Sequence, residues 1–244
     1  MSDVRRQGVG AWEPRTFEVQ VPTERWTIAV EHAVRPATRS GRARNARERI
    51  LDALIQTVAR RGYEETSIDR VLTVAEVPRA VFEEHFEGKQ ECLLASLEYL
   101  IEALRRVVRQ AVAGQTSWPE QVRLGLQMLL TALACHPDGA RVACIEYLAA
   151  GRPAIARMRE AIAEFVPALE QGRAEALETT HLPPQTSEAI VGGIAAIVSR
   201  HVFEDRASEL PELLPDLLFF ALMPYLGQHW ALAIAGEASA SRSA

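Results

Sequence analysis

Apolar positions take up helical spacing from Arg44 onward. Ile50, Leu54 and Val58 recur every four residues, with Leu51 and Ile55 widening the stripe until Gly62 stops it, so a first amphipathic helix is expected. Thr66 and Ser67 offer hydroxyl caps, and Ile68, Val71, Leu72 and Ala75 supply the apolar positions of a second, very short helix. After Ala75-Glu76-Val77, Pro78 stands where a first-turn proline would, and Phe82 and Phe86 share one face of a third short helix. Helices this short do not persist alone in water. Set between longer ones, they imply a compact three-helix unit that presents one short helix outward, the arrangement of a helix-turn-helix.

Gly88 ends that run, and Leu93, Leu97, Leu100, Leu104, Val107 and Ala111 mark a long helix from Lys89 to Ala113. Further helices are expected over 119–135, 138–149, 153–178 with a kink at Pro167, 186–206, and 211–230 with a bend at Pro224. No segment after residue 40 reads as a strand. The fold class is therefore all-α: an N-terminal three-helix helix-turn-helix domain over 41–90, then a C-terminal helical bundle over 91–235. Residues 1–40 hold Trp12, Trp26 and several prolines without a helical period, the composition of a flexible extension, and their Phe17, Val19, Val21 alternation has no partner strand. The Ala- and Ser-rich stretch 236–244 reads as a frayed tail.

Composition changes this picture little. Of 244 residues, 48% are hydrophobic and 24% charged, an ordinary globular balance. No apolar run approaches the roughly 20 residues needed to span a bilayer, and no signal-peptide core is seen, so a cytoplasmic protein without membrane contact is expected. Cys92, Cys135 and Cys144 are too few and too irregular for a disulfide framework. Cys135-His136 and Cys144 lack paired metal-ligand spacing, and no nucleophilic triad, phosphate loop or acid pair is found. Neither an enzyme nor a cofactor is expected. A net charge of -5 does not announce a nucleic-acid binder, but phosphate affinity depends on local clusters. Arg39, Arg42, Arg44, Arg47 and Arg49 oppose only Glu48, so the arm and first helix form a basic cluster that suits a minor groove, the plain alternative being a soluble linker.

Arg47-Glu-Arg-Ile-Leu-Asp-Ala, Arg61-Gly-Tyr-Glu-Glu-Thr-Ser-Ile and Val77-Pro-Arg-Ala-Val-Phe-Glu-Glu-His-Phe-Glu-Gly-Lys89, in that order and spacing, resemble the N-terminal domain of TetR family repressors. The resemblance implies double-stranded DNA as partner. Thr66 and Ser67 would approach phosphates as well as cap, while Pro78, Arg79, Ala80 and Val81 would open the recognition helix toward base edges, Val81 alternatively only filling the turn. Lys89 would neutralise a phosphate, and Arg42 and Arg44 would serve from the arm. Two positions depart from the family: Glu76 stands where the turn carries glycine, and Glu83 where the recognition helix carries a tyrosine that meets DNA phosphate. Between Tyr63 and Lys89, Arg70, Arg79 and Lys89 face Glu64, Glu65, Asp69, Glu76, Glu83, Glu84 and Glu87, so the reading head is acidic on balance.

Beyond residue 90 the resemblance is architectural: a helical effector domain whose last two long helices form a homodimer. Met128, Tyr147 and Phe165 are candidate ligand-binding residues or, alternatively, ordinary core. Ile190, Ile194, Ile197 and His201 with Gly193, and Leu214, Leu217, Leu218, Ala221 and Leu222, are the apolar stripes expected to serve the dimer. The expected function is a ligand-responsive regulator, a repressor released from a palindromic operator by a small-molecule effector. The alternative is a dimeric helical ligand-binding or protein-interaction module with weakened DNA binding.

Overall fold

The computed structural model describes residues 45–175 and 182–240. The expected extension over 1–40, including the Phe17–Val21 alternation, lies outside them, as do Arg42 and Arg44. Among the described residues there are helices and turns and no strand. Helix α1 (Ala46–Arg61) starts where the Asn45 side chain accepts the Glu48 amide, satisfying one of the amides a helix start leaves unpaired. Its buried face holds Ile50, Leu51, Leu54 and Val58, and Gly62 ends it at φ 85°. Helix α2 (Ile68–Ala75) is capped by Ser67, and α3 (Arg79–Glu83) begins after Pro78, which serves as N-cap rather than first-turn residue. Between them Glu76 takes the left-handed conformation, φ 54° and ψ 47°, as the missing glycine foreshadowed. Phe82 and Phe86 are buried with ring centroids 5.5 Å apart.

Helix α4 (Lys89–Val112) runs from this head into the bundle. Its first half joins Leu93, Leu97 and Ile101 to the core of α1, and that same apolar cluster continues into Val142, Ala154, Met158 and Ala161. Head and bundle therefore share packed core across residue 90. Helix α5 (Trp118–Cys135) returns along α4, and α6 (Pro137–Cys144) packs on α1. The expected helix over 138–149 is thus cut short. A 3-10 turn (Glu146–Ala150) follows and Gly151 ends it at φ 86°.

The single kinked helix expected over 153–178 is instead α7 (Arg152–Ala163), α8 (Val166–Glu170) and α9 (Gly172–Glu175). Pro167 has no amide to bond back to Ala163, which explains the first break. Trp118 explains what the rearrangement gains: its indole donates to the Ala168 carbonyl at 2.7 Å and packs so closely on Gly172 that a Cβ there would lie 2.2 Å from the ring. Helix α10 (Thr186–Phe203) is followed by a 3-10 turn (Ala207–Leu213) and by α11 (Leu214–Ala240). The bend expected at Pro224 falls at Gly227, where φ 77° and ψ 164° interrupt the helix. Helix then persists to Ala240, past the tail expected from 236, because Ala231, Ala235 and Ala238 keep one face buried.

One sequence expectation on length is corrected. The stretch Ala207–Ala238 is long and apolar enough, by length and composition, to cross a membrane, with a mean hydropathy of 1.4 over its most apolar window. Leu210, Leu214, Leu218 and Leu222 bury one side of it in the bundle core. Phe220, Met223 and Leu232 lie exposed on it.

Candidate nucleic-acid interface and cavity

The head presents the start of α3 to solvent: Pro78, Arg79 and Ala80 are exposed, Val81 is half-buried, and Glu83 is exposed further along. Arg79 is not a free cation. Its guanidinium donates to Asp69 on α2 at 2.5 Å and lies 3.8 Å from the Glu83 carboxylate. Both carboxylates are largely solvated, so these pairs hold the arginine weakly and a phosphate or base could compete for it.

Two residues expected to meet phosphate bond within the chain instead. Thr66 is 2% exposed and its hydroxyl donates to the Gly62 carbonyl at 2.8 Å, so it braces the α1–α2 turn from inside. Lys89 is turned inward: its ammonium donates to the Tyr63 carbonyl at 2.8 Å and sits 4.2 Å over the Tyr63 ring. It clamps the turn between α1 and α2 onto the head of α4. Ser67 remains exposed and accepts the Arg70 amide at 3.4 Å. The Phe86 ring carries the Arg47 guanidinium 5.6 Å above it. No signal in the sequence distinguished an inward Lys89 from an outward one, because both need the same spacing.

Behind the head, α4, α5, α6, α7 and α10 enclose a cavity of about 490 Å3. Its wall is mostly aliphatic, from Leu104, Val108, Leu129 and Ile194 among others. Tyr147 and Phe165, two of the candidate residues, line it. Met128 does not: it is buried on the other side of α5 against Val107, Ala111 and Leu124. Helical periodicity marked it as apolar but could not tell which of two buried faces it occupied. Sequence reading also missed Arg105 and Glu164, which meet across one edge of the cavity in a two-pronged pair, with Glu102 on the other side of Arg105. These partners raise the pKa of Arg105, its hydrogen bonds to Glu164 and Glu102 outweighing desolvation. Cys144 also lines the cavity, and burial pushes its thiol up to about 11, so it is a neutral wall residue rather than a nucleophile.

On the far side of the bundle the dimer stripes are redistributed. Ile190 and His201 face the core, His201 with Nδ1 2.9 Å from the Ile197 carbonyl. Leu214, Leu217, Leu218, Ala221 and Leu222 are likewise buried within the chain. What α10 and α11 leave outward is Gly192, Ala196, Phe203, Phe220 and Met223, with Phe203 66% exposed. A one-dimensional stripe could not divide residues between the two faces of a helix that is apolar nearly all round.

A short solvent-presented helix braced by a second across a tight turn, backed by an all-helical bundle, is a helix-turn-helix arrangement of the kind DNA-binding proteins use. Residues 50–96 match the family model described as bacterial regulatory proteins, tetR family. Such regulators are non-enzymatic DNA-binding transcription factors. The fold resembles that of the fatty acid degradation regulator FadR from Bacillus halodurans, at 18% identity and TM-score 0.66, covering 75% of this chain and 97% of that one. It also resembles tylp, a tetr regulator from Streptomyces fradiae, at 19% identity and TM-score 0.62, covering 83% and 98%. A third similar structure is a TetR-family regulator from Syntrophomonas wolfei, at 17% identity and TM-score 0.61, covering 74% and 94%. No curated protein matches the sequence.

Proposed function

We propose that the chain is a cytoplasmic, ligand-responsive repressor that dimerises through α10 and α11, binds a palindromic operator and is released by a small-molecule effector held in the cavity. The observation that carries this reading is the pairing, in one chain with continuous core, of a solvent-presented recognition helix and an apolar cavity large enough for a drug-sized molecule. Pro78, Arg79, Ala80 and Val81 would read bases, Ser67 would approach a phosphate, and Arg42 and Arg44 would follow the adjacent minor groove. Tyr147 and Phe165 would contact the effector. The exposed Phe203, Phe220 and Met223 support a two-fold contact between identical faces, which brings two recognition helices to half-sites about 34 Å apart. FadR from Bacillus halodurans, whose fold is similar, regulates fatty acid degradation, and this supports a metabolic effector for a fold of this kind.

The second reading, a ligand-binding module with weakened DNA binding, is favoured by the inward Lys89 and by the carboxylates on either side of Arg79. Selection of bound duplex from random sequence by the full chain, at low and moderate salt, separates the two. A palindromic motif is expected. A pool that stays unenriched at both salts would sink the repressor reading and leave the second.

A further inference from the structure

Besides the core they share, the cavity walls and the reading head are tied by two hydrogen bonds that meet at one residue. Tyr63 lies just past the glycine that ends α1, where its backbone amide has left the helical ladder. That amide donates to the Glu146 carboxylate at 3.0 Å, across 83 positions of sequence. The Tyr63 carbonyl, on the other side of the same residue, accepts from Lys89 at the start of α4. Both holders belong to elements that form the cavity wall. Glu146 is followed by Tyr147, which lines the cavity, and preceded closely by Ala143 and Cys144, which line it too. Lys89 opens the helix whose Leu100, Ile101 and Leu104 line it further along.

Glu146 itself is well placed to transmit rather than merely to fill space. Its side chain is only 11% exposed, and its other oxygen lies 3.4 Å from Arg141, which also reaches Asp205 beyond the end of α10 at 3.2 Å. A carboxylate accepting a backbone amide makes a bond roughly twice as strong as one between neutral groups. It sits in a 3-10 turn bounded by Ile145 and by Gly151 at φ 86°, and Gln90 on α4 pins the far end of that turn through the Ala150 carbonyl at 2.8 Å. The turn is thus short, held at both ends, and exposed to the cavity on the Tyr147 side. An occupant pressing on Tyr147 has little slack to absorb before Glu146 moves, and with it the end of α1.

We propose that Glu146 is the positioning residue through which an occupant of the cavity sets the orientation of the helix-turn-helix. This rests on the reading that the cavity takes an effector and the head binds DNA. The carboxylate would hold the end of α1 in one of two arrangements, and the occupant would favour the arrangement that does not fit the operator. Such a device works only if the occupant binds the two arrangements with different affinity, and the coupling is then the same in both directions.

The test uses the full chain, the duplex recovered by selection, and N-phenyl-1-naphthylamine, an uncharged apolar fluorophore, as cavity probe. Probe affinity is measured with and without saturating duplex, and duplex affinity with and without saturating probe. In the native chain each ligand weakens the other by the same factor, about five-fold or more. In Glu146→Ala both ligands still bind singly, but the factor falls close to one. Glu146→Gln, whose amide oxygen still accepts the Tyr63 amide, retains part of the coupling, which a merely structural role would not predict. Hydrogen exchange of the native chain gives a reading free of any variant: the Tyr63 amide changes its protection when the probe binds.

A Glu146→Ala chain that couples as strongly as the native one overturns the proposal. So does a Tyr63 amide indifferent to the probe, or a native chain in which probe and duplex ignore each other. A native chain that does not bind the probe overturns the effector reading along with it, and one that binds no duplex overturns the repressor reading along with it.

Discussion

Glu76→Gly should stabilise the protein. Glu76 occupies the left-handed region at φ 54° and ψ 47°, its side chain is exposed, and its amide closes α2 on the Leu72 carbonyl. A non-glycine residue in that conformation costs about 1–2 kcal/mol, because Cβ crowds the following carbonyl. Glycine removes that strain but loses more backbone freedom on folding, a penalty of about 0.4–1 kcal/mol. The difference leaves a net gain of roughly 0.5–1 kcal/mol, or a rise in Tm of roughly 1–4 °C for a chain of this size. Glu76→Ala is the control. It removes the same carboxylate but keeps Cβ, so it should stay within about 0.5 kcal/mol of native. Urea unfolding of the three proteins at one pH reads the ordering directly. If the alanine variant gains as much as the glycine variant, charge rather than backbone strain governs the turn; if the glycine variant is less stable than native, the strain argument is wrong.

Four further outcomes are expected. Gly172→Ala forces a Cβ to within 2.2 Å of the Trp118 ring and should cost about 1–3 kcal/mol in urea unfolding, as overpacked cores do. Glu83→Tyr should tighten binding to the selected duplex and steepen the dependence of log K on log salt by about 0.9 if it adds one phosphate contact. Phe220→Glu combined with Met223→Glu should give a monomer by sedimentation with native helicity by circular dichroism. Cys92 is pushed by burial up to about 12, so its raised folded pKa stabilises the fold below its ordinary 9.0 and that contribution fades as pH rises through this range. Iodoacetamide at pH 8 should therefore label Cys92 only as fast as the chain unfolds, and labelling as fast as a free thiol would show the site is open.

How much of this was legible follows from what a one-dimensional pattern can carry. The three helices of the head were readable because Gly62, Pro78 and Gly88 punctuate a clear apolar period, and the turn at Glu76 was flagged only through the family resemblance, in which that position carries glycine. Contacts that close over long sequence distance were not. Nothing in the neighbourhood of Lys89 says that it folds back onto Tyr63, and nothing near Glu146 says that it reaches the same residue. The break of 153–178 into α7, α8 and α9 was half visible in Pro167, but the fit of Gly172 against Trp118 depends on a residue more than fifty positions away. Burial sides failed for the same reason: Met128 and Ile190 lie on helices apolar around much of their circumference, where periodicity cannot choose between core, cavity and partner.

The sparse positive charge between Tyr63 and Lys89 bears on what dimerisation would add to the proposed repressor. With Lys89 committed to Tyr63 and Arg79 flanked by Asp69 and Glu83, the segment from Tyr63 to Lys89 offers few cations to phosphates, so one half-site is held weakly by it. Joining two heads turns the second binding event into an intramolecular one at an effective concentration on the order of millimolar. Weak half-sites then become a specific operator complex only when both are engaged at the right separation. Such a complex is easily released, since an occupant need only spoil the separation and not the contacts of either head. The monomeric Phe220→Glu, Met223→Glu variant should therefore lose far more than half of the duplex affinity, whereas a monomer that binds a half-site nearly as tightly as the dimer binds the palindrome would mean that other contacts, such as those of an arginine arm, dominate each head.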